Sequence, residues 1–227
     1  MKLVSLFSGG KDSTYATLLA KKAGHSISCL LSIKSTASES FMYHKPNIEM
    51  NALSAEAMRL PLIIVETSLG KEAELSPLKE TLAEMKKKLK IEGVVTGAVA
   101  STYQASRIQK ICNDLGLHCF NPLWQKNQFQ LLNELLEKKF EVIVVAVAAA
   151  GLDESWLGRK LDKNVIAELV ALNRKYDLNI AGEGGEIETF VLDCPRFKRK
   201  IKLIEAEKKF SGSSGELLIK KAKLIAK

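Results

Sequence analysis

Predicted strands and helices alternate along the first half of the chain, and this alternation restricts the possible folds more than any other feature. Four apolar segments of strand composition occur there, at residues 2–7, 26–34, 62–67 and 93–99. A segment of helical composition follows each of them, and Gly116 ends the last one. Because strands that alternate with helices form a parallel sheet covered on both faces, we expect an α/β fold with a twisted, Rossmann-like parallel sheet.

The alternation stops near Pro122. From there the sequence becomes richer in strands and resembles hairpins, and SGSSG (211–215) predicts a flexible hairpin loop. We therefore expect two domains, residues 1–122 and residues 123–227, of which the second is a smaller α+β domain.

Composition places the chain among ordinary globular proteins. Of its 227 residues, 46% are hydrophobic and 26% are charged. The four cysteines form no CxxC pair, so the sequence has no zinc or iron–sulfur spacing and fits the reducing cytoplasm. No apolar stretch approaches the length of a membrane span, and the N-terminal MKLVSLF is too short for the core of a signal peptide.

The formal net charge of +8 has two interpretations. An excess of this size can steer a protein toward RNA, an anionic nucleotide or an acidic partner. It can also reflect a solvated, lysine-rich surface. The second interpretation is favoured, because lysines occur in several segments, such as 85–90 and 196–202.

A glycine turn, SGGKDS (8–13), lies between the first predicted strand and the first predicted helix. It is not a Walker A loop, because Ser5 replaces the first glycine and Asp12 replaces the final Ser/Thr. The spacing also excludes the dinucleotide motif GxGxxG. Small residues before a helix start still form an anion cradle, since backbone N–H groups and the helix dipole attract negative charge. Lys11 adds a full positive charge.

The turn resembles the PP-loop of the N-type ATP pyrophosphatases, whose pattern is Ser-Gly-Gly-x-Asp-Ser. The matching residues are Ser8, Gly9, Gly10, Asp12 and Ser13. The resemblance implies a HUP-type parallel sheet, cleavage of ATP between its α- and β-phosphates, an adenylated intermediate and Mg²⁺. It further implies that residues 8–13 hold the pyrophosphate, that Lys11 and Asp12 act in catalysis, and that Asp12 is a candidate Mg²⁺ ligand.

A second motif, GEGGEIET (182–189), concentrates three carboxylates within six residues: Glu183, Glu186 and Glu188. Carboxylates this close repel one another unless a cation or a catalytic role accounts for them. They can bind a trimethylammonium group or ammonium, and one of them can accept the proton that ammonium loses. An acidic surface turn is the alternative, but an apolar strand follows directly at residues 190–192.

GEGGEIET and three other segments resemble the diphthine–ammonia ligase family. The segments are 148–162, 181–195, 39–47 and 101–108. Ile187 and Phe190 depart from the family pattern by conservative apolar changes. The resemblance implies that ATP adenylates the diphthine carboxylate of translation elongation factor two. Ammonia from ammonium then displaces AMP and gives diphthamide.

The same resemblance suggests a cytoplasmic enzyme, and the compact chain favours an archaeal source. We expect no membrane or DNA partner, and the sequence leaves a homodimer open. Two other functions fit parts of the sequence. A tRNA-thiolating PP-loop enzyme fits the basic charge but lacks CxxC, and a non-catalytic ATP-binding HUP domain would not need the carboxylates.

Weaker candidates for substrate contact come from the remaining matched segments. These are Tyr43, Tyr103, Arg107, Trp156, Arg159, Gly184, Gly185 and Thr189. Tyr103 and Arg107 lie one helical turn apart and could bind a phosphate or carboxylate, but an exposed ion-pairing arginine is as good an interpretation. Trp156 could stack on the trimethylammonium group or pack in the core. Tyr43 and His44 could flank the nucleotide, and Cys112 is expected to be a buried small hydrophobe.

Overall fold

The computed structural model describes residues 1–35, 47–67 and 75–227. These residues form two compact units. The first unit comprises Met1–Ser8, Asp12–Asn51 and Leu60–Trp124, and the second comprises Gly9–Lys11, Ala52–Arg59 and Gln125–Lys227. The segment 39–46, which includes Tyr43 and His44, lies outside the described residues.

The first unit contains a five-stranded parallel sheet with the strand order β3-β2-β1-β4-β5. Its strands are β1 (Lys2–Leu6), β2 (Ser26–Ser35), β3 (Leu62–Thr67), β4 (Gly93–Val95) and β5 (His118–Phe120). Between these strands in the chain lie the helices α1 (Lys11–Lys22), α2 (Asn51–Met58), α3 (Leu75–Leu89) and α4 (Thr102–Leu115). All of α2 except Asn51 belongs to the second unit. A short 3-10 helix, Ile48–Met50, precedes α2. The expected α/β fold with a parallel sheet is confirmed.

Periodic apolar residues explain the core of this unit. On α3, Leu78, Leu82 and Met85 recur at helical spacing and are buried. They pack in one cluster with apolar residues of β1, β2, β4 and α4. Helix α4 has clear ends, because the Ser101 side chain accepts from the Gln104 N–H and Gly116 takes the left-handed conformation after the last turn.

The second unit contains a four-stranded sheet with the order β7-β6-β9-β8. Its strands are β6 (Glu141–Val147), β7 (Ile187–Asp193), β8 (Lys200–Ser211) and β9 (Ser214–Ile225), all paired antiparallel. Helices α5 (Gln128–Glu137) and α6 (Lys163–Tyr176) complete it, together with 3-10 helices at Glu154–Trp156 and Glu183–Gly185. In the described residues, no helix combines the length and apolarity that crossing a membrane requires.

The C-terminal hairpin differs from the sequence-based expectation. SGSSG suggested a flexible five-residue loop, but β8 and β9 pair as far as Ser211 and Ser214. Only Gly212 and Ser213 remain in the turn, and Gly212 has a φ of +61°. A two-residue hairpin turn requires positive φ, which glycine adopts at little cost.

Candidate functional site

The SGGKDS turn lies at the carboxyl end of the central strand of the first unit. Strand β1 has β2 on one side and β4 on the other. After β1 the chain continues through α1 to β2, and it enters β4 only after β3. This is the switch point of an open parallel sheet, where such folds bind ligands. Gly9 has a φ of +80°, and α1 begins two residues later at Lys11.

Hydroxyl groups close the turn onto the first turns of α1. The Ser8 N–H donates to the Ser13 Oγ over 3.2 Å, and the two serine Oγ atoms lie 3.1 Å apart. Thr17 Oγ1 in turn donates to the Ser13 carbonyl over 2.7 Å and contacts the Ser5 Oγ at 2.8 Å. Two of the residues predicted to hold pyrophosphate, Ser8 and Ser13, are therefore in direct contact.

Gly97 packs against the start of α1, a role that the sequence did not reveal. A Cβ atom at Gly97 would lie 2.8 Å from the Asp12 carbonyl carbon and 2.8 Å from the Ser13 nitrogen. The sequence predicted a strand through residue 99, whereas β4 ends at Val95. A glycine just beyond a strand that neighbours β1 is the signal that could have identified this position.

A buried polar network supports the chain immediately before the turn. Ser32 Oγ donates to the Phe7 carbonyl over 2.6 Å, and Asn51 Nδ2 donates to Ser32 Oγ over 3.0 Å. Ser32 and Asn51 are 1% and 0% exposed. Sequence analysis missed both residues, although polar side chains within apolar segments are a usable signal for such a network.

The GEGGEIET motif forms a tight turn that leads into β7. Gly182, Gly184 and Gly185 have φ values of +73°, +88° and +87°, which only glycine adopts readily. Asn179 organises this turn from outside the motif. Its Oδ1 accepts from the Ala181 N–H over 3.0 Å and from the Glu183 N–H over 3.2 Å.

Glu186 of the motif makes hydrogen bonds through both its side chain and its backbone. Glu186 Oε2 accepts from the Asn179 N–H over 2.7 Å, and the Glu186 carbonyl accepts from the Ala148 N–H over 2.9 Å. Glu183, Glu186 and Glu188 are all partly exposed. The motif thus presents carboxylates at a surface turn, and Glu186 also holds that turn closed.

Gly9–Lys11, in the middle of the SGGKDS turn, belong to the same compact unit as this motif. The Val191 N–H donates to the Gly9 carbonyl over 3.0 Å, and the Lys11 N–H donates to Thr189 Oγ1 over 3.1 Å. The Lys11 ammonium donates to the Ala181 carbonyl and is 4% exposed. Lys11 therefore touches both ends of the segment that contains GEGGEIET.

Tyr103 and Arg107 lie together on α4, as their spacing indicated. The Arg107 guanidinium lies 3.4 Å from the centroid of the Tyr103 ring. Tyr103 is 37% exposed, so the pair is accessible to solvent. Their contact with substrate stays a prediction.

Trp156 and Arg159 also contact each other. Trp156 is buried, and the Arg159 guanidinium lies 4.5 Å from its ring centroid. Arg159 makes two hydrogen bonds to the Glu168 carboxylate, at 2.6 and 2.8 Å. The Glu168 hydrogen bond raises the pKa of Arg159, and Arg159 lowers the pKa of Glu168. These contacts favour packing for Trp156, and its stacking on a trimethylammonium group stays a prediction.

A metal site built by protein side chains alone does not occur in the described part of the chain. No group of three or more His, Cys, Asp or Glu side chains gathers there. The SGGKDS turn supplies one carboxylate, that of Asp12, and the hydroxyls of Ser8 and Ser13. Mg²⁺ is commonly held by one or two carboxylates, water and substrate phosphates, so this donor set fits a cation that arrives with a nucleotide.

Comparison with known proteins identifies the family. The family model described as "Diphthamide synthase N-terminal domain" matches residues 1–119, and "Diphthamide synthase C-terminal domain" matches residues 127–225. A cattle (Bos taurus) protein named diphthine–ammonia ligase is 38% identical over 88% of this chain and 82% of its own length. The protein of that name from Schizosaccharomyces pombe is 35% identical over 100% of this chain and 40% of its own length.

These relatives are eukaryotic, so they do not support the archaeal source that the compact chain suggested. A predicted subunit of a tRNA methyltransferase from Methanocaldococcus jannaschii has a solved structure that aligns with 86% of this chain and 98% of its own. Its identity is 18% and its TM-score is 0.44, too low to bear on function. The two domain models and the 38% identity to named ligases show that the chain belongs to the diphthine–ammonia ligase family.

Proposed function

We propose that this chain is an ATP-dependent diphthine–ammonia ligase, which converts the diphthine carboxylate of translation elongation factor two into the amide of diphthamide. The observation that carries the proposal is the SGGKDS turn at the sheet's switch point, in a chain 38% identical to ligases of that name. Family membership favours this function over tRNA thiolation and over ATP sensing. A cytoplasmic location is consistent with this substrate.

The reaction consists of two displacements. A diphthine carboxylate oxygen forms a bond to the α-phosphorus of ATP, and the bond from that phosphorus to the oxygen bridging the β-phosphate breaks. Pyrophosphate leaves, and an acyl-adenylate remains. The ammonia nitrogen then attacks the acyl carbon, the bond from that carbon to the AMP oxygen breaks, and AMP leaves.

The turn has the chemistry to hold the departing pyrophosphate. Ser8, Gly9 and Gly10 are small residues, so a phosphate can approach their backbone N–H groups closely. The start of α1 adds the positive end of a helix dipole, worth about 0.3–2 kcal/mol. Lys11 supplies a buried positive charge beside them. Asp12 would hold a Mg²⁺ ion whose remaining ligands are phosphate oxygens and water, and that ion would neutralise the developing charge.

The carboxylates of GEGGEIET suit the second displacement. Ammonia reaches a protein mainly as ammonium, which must lose a proton before it attacks. A partly exposed glutamate can attract ammonium and accept that proton. Glu183, Glu186 and Glu188 are the candidates, and each can also attract the trimethylammonium group of diphthine.

The experiment is a reconstitution with elongation factor that carries diphthine, ATP and ammonium. We expect mass spectrometry to show conversion of the carboxylate to the amide, and chromatography to show AMP and pyrophosphate. ADP and free phosphate as products would contradict the proposal.

A Lys11→Ala variant tests the assigned phosphate turn. A hydrogen bond to a charged group contributes about 1.5–3 kcal/mol, so ATP affinity should fall at least tenfold. Lys22→Ala, at the other end of α1, is the matched control and should bind ATP like the wild type. Unchanged ATP affinity in Lys11→Ala would place the nucleotide elsewhere.

A further inference from the structure

The first N–H group of α1 donates to a side chain from the distant GEGGEIET segment. The residue before the helix is Gly10, which has no side chain to accept a hydrogen bond. The first N–H groups of a helix need an acceptor from elsewhere. Thr189, the last residue of GEGGEIET, provides one, because its Oγ1 accepts from the Lys11 N–H over 3.1 Å.

A second contact aligns the turn with the same strand. β7 is an edge strand of its sheet, with β6 on one side only. On its other side, the Val191 N–H donates to the Gly9 carbonyl over 3.0 Å. β7 therefore contacts Lys11 through the Thr189 side chain and Gly9 through the Val191 N–H, at positions two residues apart on the strand.

The charged end of Lys11 is held by the beginning of the same segment. Its ammonium donates to the Ala181 carbonyl, and the side chain is almost fully buried. Asn179 sets the position of Ala181 by accepting its N–H, and Glu186 accepts the N–H of Asn179. A buried ammonium needs such hydrogen-bonding partners, because desolvation of a charge is costly.

We propose that Thr189 is a positioning residue of the phosphate turn rather than a contact for the diphthine side chain. It holds the Lys11 N–H, while the Asn179–Ala181 segment holds the Lys11 ammonium. GEGGEIET then has two roles, since its carboxylates serve the ammonium step and its last residue shapes the nucleotide site. This inference rests on the proposed function only for its expected effect on the kinetics of amide formation. The contact between Thr189 and Lys11 can be tested by measuring ATP binding alone.

The test compares Thr189→Val with Thr189→Ser. Valine keeps the shape and removes the hydroxyl, whereas serine keeps the hydroxyl. Removing a hydrogen-bond acceptor from a buried N–H typically corresponds to about a fivefold to hundredfold loss. We expect the Kd for ATP, measured by calorimetry, to rise by that factor in Thr189→Val and to stay within about threefold of wild type in Thr189→Ser. The KM for the diphthine-bearing protein should not change.

Thr81→Val is the matched control. The Thr81 hydroxyl also bonds to the backbone, donating to the Pro77 carbonyl within α3 over 2.8 Å. Its loss should leave ATP affinity unchanged. Thermal unfolding checks each variant, and Thr189→Ala replaces Thr189→Val if valine prevents folding.

The outcomes separate the two proposals. An unchanged Kd for ATP in Thr189→Val, or a rise confined to the KM of the protein substrate, overturns the positioning role and leaves the ligase function intact. If the wild type binds ATP and the Kd rises in Thr189→Val, but no diphthamide forms, the ligase function is overturned and the positioning role is supported. Failure of the wild type to bind ATP overturns both.

Discussion

At the scale of single residues, Lys11 makes contacts that the SGGKDS motif does not predict. Its place in SGGKDS indicated a positive charge available to a phosphate. The structure adds that this charge is buried, that its ammonium donates to the Ala181 carbonyl, and that its N–H donates to Thr189. A residue held at both ends is preorganised, so little ordering is needed when an anion binds.

Gly97 leads to a prediction about nucleotide binding. A Cβ 2.8 Å from the backbone of Asp12 and Ser13 must displace the first turn of α1. We expect Gly97→Ala to raise the Kd for ATP at least about tenfold, equal to about 1.4 kcal/mol. Gly24→Ala is the control, because Gly24 has a φ of +84° but no neighbouring atom within 4 Å of its Cβ position. It should lower the melting temperature without changing ATP affinity.

A second prediction at this scale concerns the three glutamates. Glu186 Oε2 accepts a hydrogen bond from the Asn179 N–H. We expect Glu186→Gln to destabilise the fold by about 0.5–1.5 kcal/mol, since glutamine is a weaker acceptor. We expect at least one of the changes Glu183→Gln, Glu186→Gln and Glu188→Gln to show the loss in kcat of about 10²–10⁴ that is typical of a missing general base.

Rate measurements at low ammonium and thermal unfolding of all three variants check this assignment. The sequence placed all three carboxylates together and did not distinguish them. If Glu186→Gln alone gave the large loss in kcat with an unchanged melting temperature, the structural role of Glu186 would be wrong.

At the scale of elements, the turn formed by residues 182–186 and strand β7 both position residues that contact Lys11. The turn brings Ala181 to the Lys11 ammonium, and β7 brings Thr189 to the Lys11 N–H. The conformation of the turn should therefore affect the nucleotide site. Glycines in the turn provide the means to test this.

Gly182→Ala and Gly184→Ala form a matched pair for that test. Both glycines have positive φ, so alanine is strained at either position. Only at Gly182 would the new Cβ collide with the chain, 2.5 Å from the Ile187 carbonyl oxygen. We expect Gly182→Ala to lower both the melting temperature and ATP affinity, and Gly184→Ala to lower the melting temperature alone. Equal ATP affinities in the two variants would contradict the link between turn and phosphate site.

At the scale of the whole molecule, the positive charge is concentrated at one end of the sequence. Residues 196–227 contain eleven basic and three acidic residues, a net of +8 that equals the net charge of the whole chain. Lysines also occur in other segments, such as residues 85–90, and their distribution in the sequence favoured a solvated surface. The structure places most of this segment on the β8–β9 hairpin, where Lys202 faces Lys223 directly.

This concentration predicts the behaviour of the protein on a cation exchanger. Lys202, Lys221 and Lys223 are exposed and make no ion pair within the described residues. Changing all three to Gln should lower the salt concentration of elution more than the same change at Lys87, Lys88 and Lys90, which are exposed on or just after α3. Equal decreases in the eluting salt concentration would mean that binding to the exchanger depends only on the total charge of the protein.

The source of nitrogen is a prediction for the whole chain. Cys29, Cys112 and Cys194 are buried, and burial raises the pKa of the Cys194 thiol to about 11. These three thiols stay protonated at neutral pH and are poor nucleophiles. Cys119 is partly exposed, and its hydrogen bond with Cys112 lowers its pKa, so it is the thiol to test. We expect ammonium to support amide formation and purified glutamine not to. Cys119→Ser, which removes the one partly exposed thiol, should keep full activity, and glutamine-dependent turnover would contradict this prediction.

The sequence by itself determined the class of fold and the family. Apolar strands alternating with helices predict a parallel sheet because the pattern is local, and SGGKDS and GEGGEIET are contiguous motifs whose residue types already carry their chemistry. The hairpin was only partly predictable, since the number of residues in its turn depends on how far β8 and β9 pair.

Only the tertiary structure decided which residues support the site. Gly97 packs against Asp12, 85 residues away, and Asn51 donates to the Phe7 carbonyl, 44 residues away. Asn179 acts through the backbone N–H groups of the turn. The sequence predicted Thr189 as a substrate residue, and this stays a prediction. Its hydroxyl accepts from the Lys11 N–H, 178 positions away in the chain, a contact that the sequence did not indicate. Long-range hydrogen bonds of this kind depend on how strands pair and pack, and the order of residues along one segment does not encode them.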